Sequence, residues 1–253
     1  MSHSETEEET LRVLMAGATN KGRTRKTNQD SIFFDQQMGV GIVADGIGGR
    51  KGGEVASSMA VSHVRNAIKN SRLIRHEEVR PFMINAVDNA NLAIIARGEH
   101  DPTFAGMGTT LESLLFLNDR LYLAHVGDSR TYLYFNANLW QITLDHNVQN
   151  FLERGWLKSG SLPQDWKGQA LVRALGLSGH CEIDVYHKNI KPGEIYITAS
   201  DGLFDMVSDH EICHLVKSYF NDLKKIPEIL INEANRKGGR DNITVLVCKV
   251  VED

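Results

Sequence analysis

Five aspartates stand at points where an apolar, strand-like run of the chain meets a turn. They are Asp30, Asp45, Asp128, Asp201 and Asp241. If those strands lie side by side, their ends could bring several carboxylates to one place. Converging carboxylates repel one another unless cations neutralise them, and oxygen ligands without cysteine suit Mg²⁺ or Mn²⁺. Two such ions would activate a water molecule for attack on phosphorus or on a carbonyl carbon.

Each of these aspartates also has a purely structural explanation. Asp-Gly and Asp-Asn pairs are common in turns, because the aspartate side chain can hydrogen-bond nearby backbone groups. Asp45 and Asp201 each precede a glycine, and Asp241 precedes an asparagine. Taken singly, each residue is better explained as a turn former. The metal-binding hypothesis therefore rests on the five aspartates as a set.

The elements that must position these aspartates follow from the spacing of apolar residues. Strand-length apolar runs cover residues 11–16, 31–35, 40–44, 109–117, 121–126, 131–135, 139–143, 183–186, 195–199 and 243–250, and helix-like stretches cover 53–70, 77–97, 148–153, 209–220 and 227–236. In the helix-like stretch 77–97, Pro81 is expected in the first turn. Strands and helices are segregated in blocks, which favours an α+β fold of packed layers over a repeated βαβ arrangement.

Residues 147–176 are irregular by comparison. The helix-like piece at 148–153 leads into a glycine-rich segment that also contains Pro163. A long segment without regular structure often forms a functional loop or lid. The sequence therefore predicts such a loop here.

Composition and charge limit the classes of partner. The chain has 253 residues, with 28 Lys and Arg against 32 Asp and Glu and a net charge of −4. A mildly acidic chain without a basic block gives no electrostatic reason to expect nucleic acid or an anionic membrane as partner. No apolar run approaches the roughly 20 residues of a membrane helix. The glutamate-rich residues 1–10 are unlike a signal peptide and are expected to form a disordered acidic tail.

The three cysteines, Cys181, Cys213 and Cys248, are scattered along the chain. They form neither a disulfide framework nor a C-x-x-C metal site, and we expect them to pack in the core. Together with the polar character of residues 1–10, this cysteine usage predicts a cytoplasmic protein.

Seven segments of the chain resemble motifs of the metal-dependent Ser/Thr protein phosphatase family, called PPM or type 2C. In one-letter code they are GRTRKTNQD (22–30), VADGIGG (43–49), GTT (108–110), VGDSR (126–130), VRALG (172–176), SDGLFD (200–205) and GRDNIT (239–244). Each segment alone is a weak signal, whereas seven in the family's order make the match specific. The resemblance implies that residues 11–253 form one catalytic domain of the bacterial size.

The resemblance implies a fold and a metal centre. The fold is an α+β, four-layer α/β/β/α sandwich, in which helices flank two central antiparallel sheets, and two ions lie at one edge. Asp45 is the expected bridging ligand, with the carbonyl of Gly46 on one ion. Asp201 and Asp241 are expected on the other ion, and Asp30 would act through metal-bound water. The choice between Mn²⁺ and Mg²⁺ stays open.

Three further features are implied by the family. Asp128, together with Asp201, matches the ligands of a third, weaker ion. Arg25 matches the arginine that grips the substrate phosphate, since a guanidinium group fits phosphate oxygens bidentately. Arg23, only two residues away, is a competing candidate for that role. Residues 147–172 match the variable flap beside the site.

The implied activity is the hydrolysis of phosphoserine and phosphothreonine in proteins. Two cations and an arginine cancel the repulsion between the phosphate and an attacking hydroxide that bridges the metals, so no covalent phosphoenzyme is needed. The expected partners are phosphorylated protein substrates, and Ser/Thr protein kinases would be functionally opposed. We expect a monomer that binds neither nucleic acid nor a membrane.

The sequence departs from the family pattern at two positions. Many eukaryotic members have a histidine, thought to protonate the leaving oxygen, where this chain has Ile47; metal-bound water could serve instead. Gln29 stands where many members have glutamate, which weakens the negative charge near the metals. His146, at the entrance of the flap, is interpreted as a surface histidine.

A zinc metalloprotease is the first alternative function. His210, Glu211 and His214 fit the H-E-x-x-H motif of such enzymes, and Glu233 could be offered as a third ligand. However, Ser208 and Glu211 have the spacing of a helix capping box, which gives Glu211 a local structural role.

A catalytically inactive relative that binds phosphoproteins as a regulatory module is the second alternative. Every metal aspartate expected from the family is present, and so is Arg25. A relative that had lost its activity would more readily have lost one of these residues. The sequence therefore favours the phosphatase.

Overall fold

The computed structural model of the chain describes residues 11–47, 52–72, 75–158, 168–177 and 179–252. The tail predicted at 1–10, the end of the 43–49 motif and residues 159–167 of the expected flap lie outside these ranges. Within them, the strands form two five-stranded sheets and a two-stranded ribbon. No helix in the described ranges has the length and apolar character needed to cross a membrane.

The first sheet pairs the two ends of the described chain. With strands numbered along the chain, its order is β1 (Leu11–Asn20), β12 (Ile243–Glu252), β11 (Ile195–Ala199), β8 (Arg130–Phe135) and β9 (Asn138–Gln141). Neighbouring strands are antiparallel, and β1 and β12 pair along their whole length. A tight turn with Asn136 and Ala137 at φ 48° and 60° joins β8 to β9 in a hairpin.

The second sheet is also antiparallel. Its strand order is β10 (Asp184–Asn189), β7 (Arg120–Val126), β6 (Leu111–Leu117), β3 (Val40–Ala44) and β2 (Ser31–Asp35). A short ribbon of β4 (Gly46–Ile47) and β5 (Gly108–Thr109) extends from the ends of β3 and β6. Because β4 directly follows Asp45, this ribbon fixes the backbone on one side of that aspartate.

Helices cover the outer faces of both sheets. They are α1 (Gly52–Lys69), α2 (His76–His100), α3 (Val148–Glu153), α4 (Asp201–Phe204), α5 (Asp209–Ser218) and α6 (Lys225–Arg236), with a 3₁₀ turn at Pro102–Phe104. Buried residues of α1 and α2 share a hydrophobic cluster with the second sheet. Residues of α4, α5 and α6 share a cluster with the first sheet.

Alternation of side chains along the strands builds the four layers. In β12, Val245 and Val247 join the cluster formed with α5 and α6. Leu246 and Cys248, on the opposite face of the same strand, pack with Val43 and other residues of the second sheet. The result is the predicted α/β/β/α sandwich with two antiparallel sheets at its centre.

Two details differ from the sequence-based expectations. Helix α2 begins at His76, so Pro81 lies in its second turn and not in the first, as had been expected. Proline has no N–H to donate to the carbonyl of Glu77, and both residues are exposed, so that water can take the place of the missing donor. The helix α4 at Asp201–Phe204 was not predicted, because four residues are too few to show a helical period.

A buried ion pair lies within the second sheet, between the neighbouring strands β6 and β7. Oε1 of Glu112 accepts a hydrogen bond from Nδ1 of His125, and Nε2 of His125 donates to the carbonyl of Leu144 at 2.8 Å. Both side chains are fully buried. Because both ring nitrogens face acceptors, the imidazole carries two protons. Burial alone lowers the pKa of His125, but the Glu112 carboxylate offsets this and the net shift is upward.

We expect Glu112→Ala to lower the free energy of unfolding by about 3–5 kcal/mol, since it leaves the His125 cation buried without its partner. A double variant, Glu112→Leu with His125→Phe, should be more stable than the single variant because neither charge is then buried. Urea unfolding of the two proteins measures the difference. Equal instability of both would show that packing, and not the unpaired charge, determines the effect.

Candidate active site

An open cavity of about 540 Å³ lies at the edge of the sandwich where several strands end. It is lined by Arg25, Gln29, Asp45, Gly46, Ile47, Thr110, Asp128, Gln169, Leu171, Asp201, Asp241 and Asn242. Four of the five predicted aspartates thus face one space. Asp30 is the exception and lies behind the others. Arg25 reaches the cavity, whereas Arg23 is not among its lining residues.

Two threonines fix the backbone of Asp45. The N–H of Asp45 donates to Oγ1 of Thr110 at 2.9 Å, and its carbonyl accepts from Oγ1 of Thr109 at 2.8 Å. Oγ1 of Thr110 also contacts Oγ of Ser129 at 2.7 Å. Ser129 follows Asp128, so this chain of hydroxyls ties the two aspartate-bearing turns together.

Asp30 is held by hydroxyl groups from two strand ends. Its Oδ2 accepts hydrogen bonds from Oγ of Ser200 at 2.8 Å and from Oγ1 of Thr244 at 2.6 Å. The residue is 8% exposed and does not line the cavity. A carboxylate placed behind the others fits the expectation that Asp30 acts indirectly.

The start of α4 places Asp201 beside Asp241. A Cβ atom on Gly202 would come within 2.0 Å of the backbone carbonyl oxygen of Asn242. Only glycine therefore allows this helix to lie directly against the start of β12. The Asp-Gly pair that suggested a turn is instead the first turn of a helix that brings two acidic residues together.

Asn242 fastens the loop that carries Arg25. Its Nδ2 donates to the carbonyls of Lys21 and Thr27, both at 2.9 Å, and its Oδ1 accepts from the N–H of Gln29 at 2.8 Å. Nη2 of Arg25 donates to Oδ2 of Asp241 at 2.6 Å. The Arg25 side chain is 53% exposed and also lines the open cavity.

Burial and mutual repulsion raise the pKa values of the aspartates. Burial is the larger cause at each residue. It raises the pKa of Asp201 to about 8, with Asp128 as the next contributor, and it raises the pKa values of Asp30 and Asp128 to about 6. The pKa of Asp45 is raised well above its usual range by burial and then by Asp30. Without cations, protons must therefore neutralise part of the site.

The residues present fit divalent cations that prefer oxygen ligands. Oδ1 of Asp30 and Oδ1 of Asp201 are buried and receive no hydrogen bond. In the described part of the chain, no three acidic, histidine or cysteine side chains close on a single point. An ion such as Mg²⁺ needs only one or two carboxylates beside carbonyl and water oxygens. Asp201 lines the open cavity, and its unsatisfied carboxylate oxygen suits that type of site.

His146 is not the surface histidine that the sequence suggested, because it is fully buried. Its Nδ1 accepts a hydrogen bond from the N–H of Gly127 at 3.1 Å, and its Nε2 lies 3.2 Å from Oδ2 of Asp184. Gly127, at φ 110°, occupies the left-handed region that favours glycine. His146 thus holds the turn before Asp128. Burial lowers the pKa of His146, which keeps Nδ1 free to accept.

The metalloprotease motif has a structural explanation. Ser208 and Glu211 form the predicted capping box at the start of α5, and Nζ of Lys237 donates to Oε1 of Glu211 at 2.6 Å. His210 and His214 are exposed on that helix. Glu233, the conceivable third ligand, pairs instead with Arg236 at 2.6 Å.

The cysteines take no part in the cavity. Cys181 and Cys248 are buried in the core, as expected. Cys213 is only partly buried, at the edge of the cluster around α5, so the expectation of core packing was too strong for it.

Several residues of the site could not be assigned a role from sequence. Thr110, Ser200 and Thr244 each lie within a quoted motif, but a hydroxyl gives no sign in sequence of the group it will bond. Asn242 could be read as a turn residue after Asp241. The available signal was the clustering of small polar residues at the ends of otherwise apolar strands.

We expect His146→Ala to loosen the turn before Asp128. The variant should lose about 2–4 kcal/mol of stability, since it leaves a cavity and an unsatisfied N–H. The amide of Gly127 should exchange with solvent at least about 10-fold faster, because its acceptor is gone. His146→Asn, whose Oδ1 can take the position of Nδ1, should restore protection of that amide. Equally fast exchange in both variants would contradict the assignment.

We expect the metal-free protein to lose stability as pH rises from 6.5 to 8. An acid whose pKa is higher in the folded state binds more protons when folded, so stability falls with pH between the two values. Asp201, at about 8 against an ordinary 3.8, titrates through this window. His146, whose ordinary pKa is 6.5, acts in the opposite direction only at lower pH.

Thermal melts in EDTA should show the melting temperature fall by roughly 5 °C across this window. Asp201→Asn should flatten the slope, and saturating Mn²⁺ should largely remove it, because the cation replaces the protons. A melting temperature in EDTA that rises between pH 6.5 and 8 would contradict the raised pKa values.

The comparisons with known proteins agree on one family. The family model described as protein phosphatase 2C matches residues 17–243. The chain is 35% identical over 236 residues to the serine/threonine phosphatase stp of Listeria welshimeri, covering 91% of this chain and 93% of the relative.

Solved structures of phosphatases have the same fold. The catalytic domain of the serine/threonine phosphatase PstP, solved with two manganese ions, superposes with a TM-score of 0.83 at 33% identity, covering 96% of this chain and 100% of that domain. The Streptococcus agalactiae serine/threonine phosphatase gives 0.84 at 30% identity, covering 95% and 100%. The cavity of aspartates, the sandwich around it and these matches lead to one conclusion: the chain belongs to the protein phosphatase 2C family.

Proposed function

We propose that this chain is a metal-dependent phosphatase that hydrolyses phosphoserine and phosphothreonine in proteins. The observation that carries the proposal is the convergence of Asp45, Asp201 and Asp241 with Arg25 on one open cavity. Relatives at 35% identity are named serine/threonine phosphatases, which supports the same activity. Phosphorylated proteins are the corresponding partners.

We assign the metal ligands by combining the family pattern with the cavity. Asp45 and the carbonyl of Gly46 would hold one ion of Mn²⁺ or Mg²⁺, with Asp45 also reaching the second ion. Asp201 and Asp241 would hold that second ion, and Asp128 with Asp201 a third and weaker one. Asp30, behind the cavity, would act through water. The two manganese ions in the PstP structure support this choice of metal.

The cations supply charge at the phosphate and, when bound, lower the pKa of water so that it can attack phosphorus. The protein's own residues bind and orient the substrate. Arg25 would grip two phosphate oxygens through its guanidinium group, and Asn242 would hold the backbone on which Arg25 is carried. The hydrogen bond from Arg25 to Asp241 places the guanidinium group at the side of the cavity where Asp201 and Asp241 lie.

We propose direct attack by water, with the four aspartates of the cavity holding cations and not acting as nucleophiles. No histidine or cysteine is among the described residues that line it. Ile47 lines the cavity and has no proton to give. The cavity is open to solvent, so a water molecule can supply the proton that the leaving oxygen needs.

Four narrower statements stay predictions. They are a single domain over residues 11–253, a flap at 147–172, a monomeric state and a cytoplasmic location with opposing Ser/Thr kinases.

The inactive phosphoprotein-binding module is disfavoured, since the expected aspartates face the cavity or support it and Arg25 reaches it. The metalloprotease is disfavoured because Glu211 is occupied in the capping box and by Lys237.

The hydrolysis of p-nitrophenyl phosphate tests the assignment. We expect turnover with Mn²⁺ that EDTA abolishes. Asp45→Asn should lower this turnover at least about 100-fold, because the carboxylate that both cations would share is lost. Arg25→Ala should lower kcat/KM about 10- to 100-fold by removing charge-assisted hydrogen bonds to phosphate. His210→Ala serves as the matched control and should leave turnover unchanged.

Two results would contradict the proposal. Turnover that survives both EDTA and Asp45→Asn would exclude the metal centre as the catalyst. A folded protein without turnover in Mn²⁺ or Mg²⁺ would favour the inactive binding module. An unchanged kcat/KM in Arg25→Ala would move the phosphate-binding role to another residue, with Arg23 the next to be tested.

A further inference from the structure

A second polar cavity, of about 450 Å³, lies beside the catalytic one. Charged and amide side chains in its lining include Arg130, Gln141, Asp145, Asn150, Arg154 and Gln169. Gln169 lines both cavities. The two spaces are therefore neighbours with a shared boundary, and no role has been given to the second one so far.

The boundary between the cavities is a short run of backbone hydrogen bonds, here called the ladder, that joins residues 146–149, at the start of α3, to residues 168–172. The N–H groups of Val148 and Gln149 donate to the carbonyls of Ala170 and Gly168, both at 2.9 Å. Leu171, in this ladder, lines the catalytic cavity, whereas Gln149 lines the second cavity. A ligand long enough to cross the ladder at Gln169 could occupy both.

The second cavity carries one positive charge that is not neutralised. Asp145 is buried, and both of its oxygens accept from Arg130, at 2.9 and 2.7 Å, while Gln141 donates to one of them at 3.0 Å. These two charges cancel. Arg154 is the remaining charged residue in the lining, and within the described part of the chain it has no ion pair. The cavity therefore suits an anionic group.

An aromatic pair supports the position of Arg154. Its guanidinium carbon lies 5.6 Å from the centre of the Trp156 ring. Trp156 packs edge-on against Phe151, with ring centres 5.2 Å apart, and the backbone N–H of Trp156 donates to the carbonyl of Phe151 at 2.8 Å. Cation–π contact restricts where the guanidinium can go. Arg154 is exposed to solvent, and its contact with Trp156 keeps the guanidinium near the cavity that it lines.

We propose that this cavity is a substrate subsite, in which Arg154 receives an acidic side chain that flanks the phosphorylated residue of the protein substrate. The inference rests on the proposed phosphatase function, because it needs the phosphate in the neighbouring cavity. An extended peptide advances roughly 3.3 Å per residue. Three residues span roughly 10 Å, and the proposal requires that this reach crosses the ladder.

Kinetics on phosphothreonine peptides test the subsite. One peptide series carries a single Asp or Glu at each position within about three residues of the phosphothreonine, and matched series carry Ala or Lys there. We expect the best acidic peptide to exceed its Ala counterpart in kcat/KM by about 3- to 5-fold, as for an exposed ion pair, with the difference in KM. High salt should reduce that preference.

Substitutions of Arg154 identify the residue responsible. Arg154→Ala should abolish the preference for acidic peptides, Arg154→Lys should keep part of it, and Arg154→Glu should reverse it toward lysine peptides. A peptide with a second phosphothreonine in place of the acidic residue shows whether the subsite prefers a phosphate to a carboxylate. A higher kcat/KM for the phosphate or the carboxylate than for alanine supports the subsite. Turnover of p-nitrophenyl phosphate, which has no flanking residue, should be unchanged in all three variants.

Arg80→Glu, a charge reversal on the exposed face of α2, is the matched control and should leave peptide preference unchanged. The subsite is wrong if the wild-type protein does not distinguish acidic from alanine peptides, or if Arg154→Glu alters every peptide equally. Failure of the wild-type protein to hydrolyse p-nitrophenyl phosphate would instead overturn the phosphatase function itself, so the two failures are distinguishable.

Discussion

Repulsion among carboxylates at one edge of the sandwich is the constraint on which the rest of the structure depends. Buried, mutually close acids favour protonation or separation unless a cation joins them. The scaffold prevents separation, since hydroxyls of Thr110, Ser200 and Thr244 hold the backbone or the carboxylate of the neighbouring acids. The raised pKa values of Asp45 and Asp201 show that this arrangement is costly in the metal-free protein. The fold holds these carboxylates close together, and bound cations would remove the repulsion between them.

Most of the fold was predictable because the central strands are buried on both faces, and such strands appear in the sequence as short apolar runs. In β12, Val245 and Leu246 face opposite clusters and both are fully buried. The misses have local causes. The predicted strand at 109–117 divides at Thr110, where the backbone turns to bond Asp45. Pro81 lies deeper in α2 than a proline usually does, because the helix begins earlier, at His76.

The acidic residues of the site were predictable, but what supports them was not. An aspartate at the end of an apolar strand is visible in sequence, whereas its convergence with others depends on strands that are distant in the chain. His146 was misread because its partners, Gly127 and Asp184, become neighbours only in the folded sheets. The second cavity gave no signal either, since Arg154 lies in the irregular segment, where no periodicity places a side chain.

The contacts of Asn242 and Thr244 have a consequence for biosynthesis. The carboxylate of Asp30 needs the hydroxyl of Thr244 as a hydrogen-bond donor, and the loop bearing Arg25 needs the side-chain amide of Asn242. Each donor lies more than two hundred positions further along the chain. A ribosome makes the early residues first, so they cannot adopt their final arrangement while the later ones are still being added. The site therefore cannot take its final arrangement in the nascent chain until the residues through Thr244 have emerged.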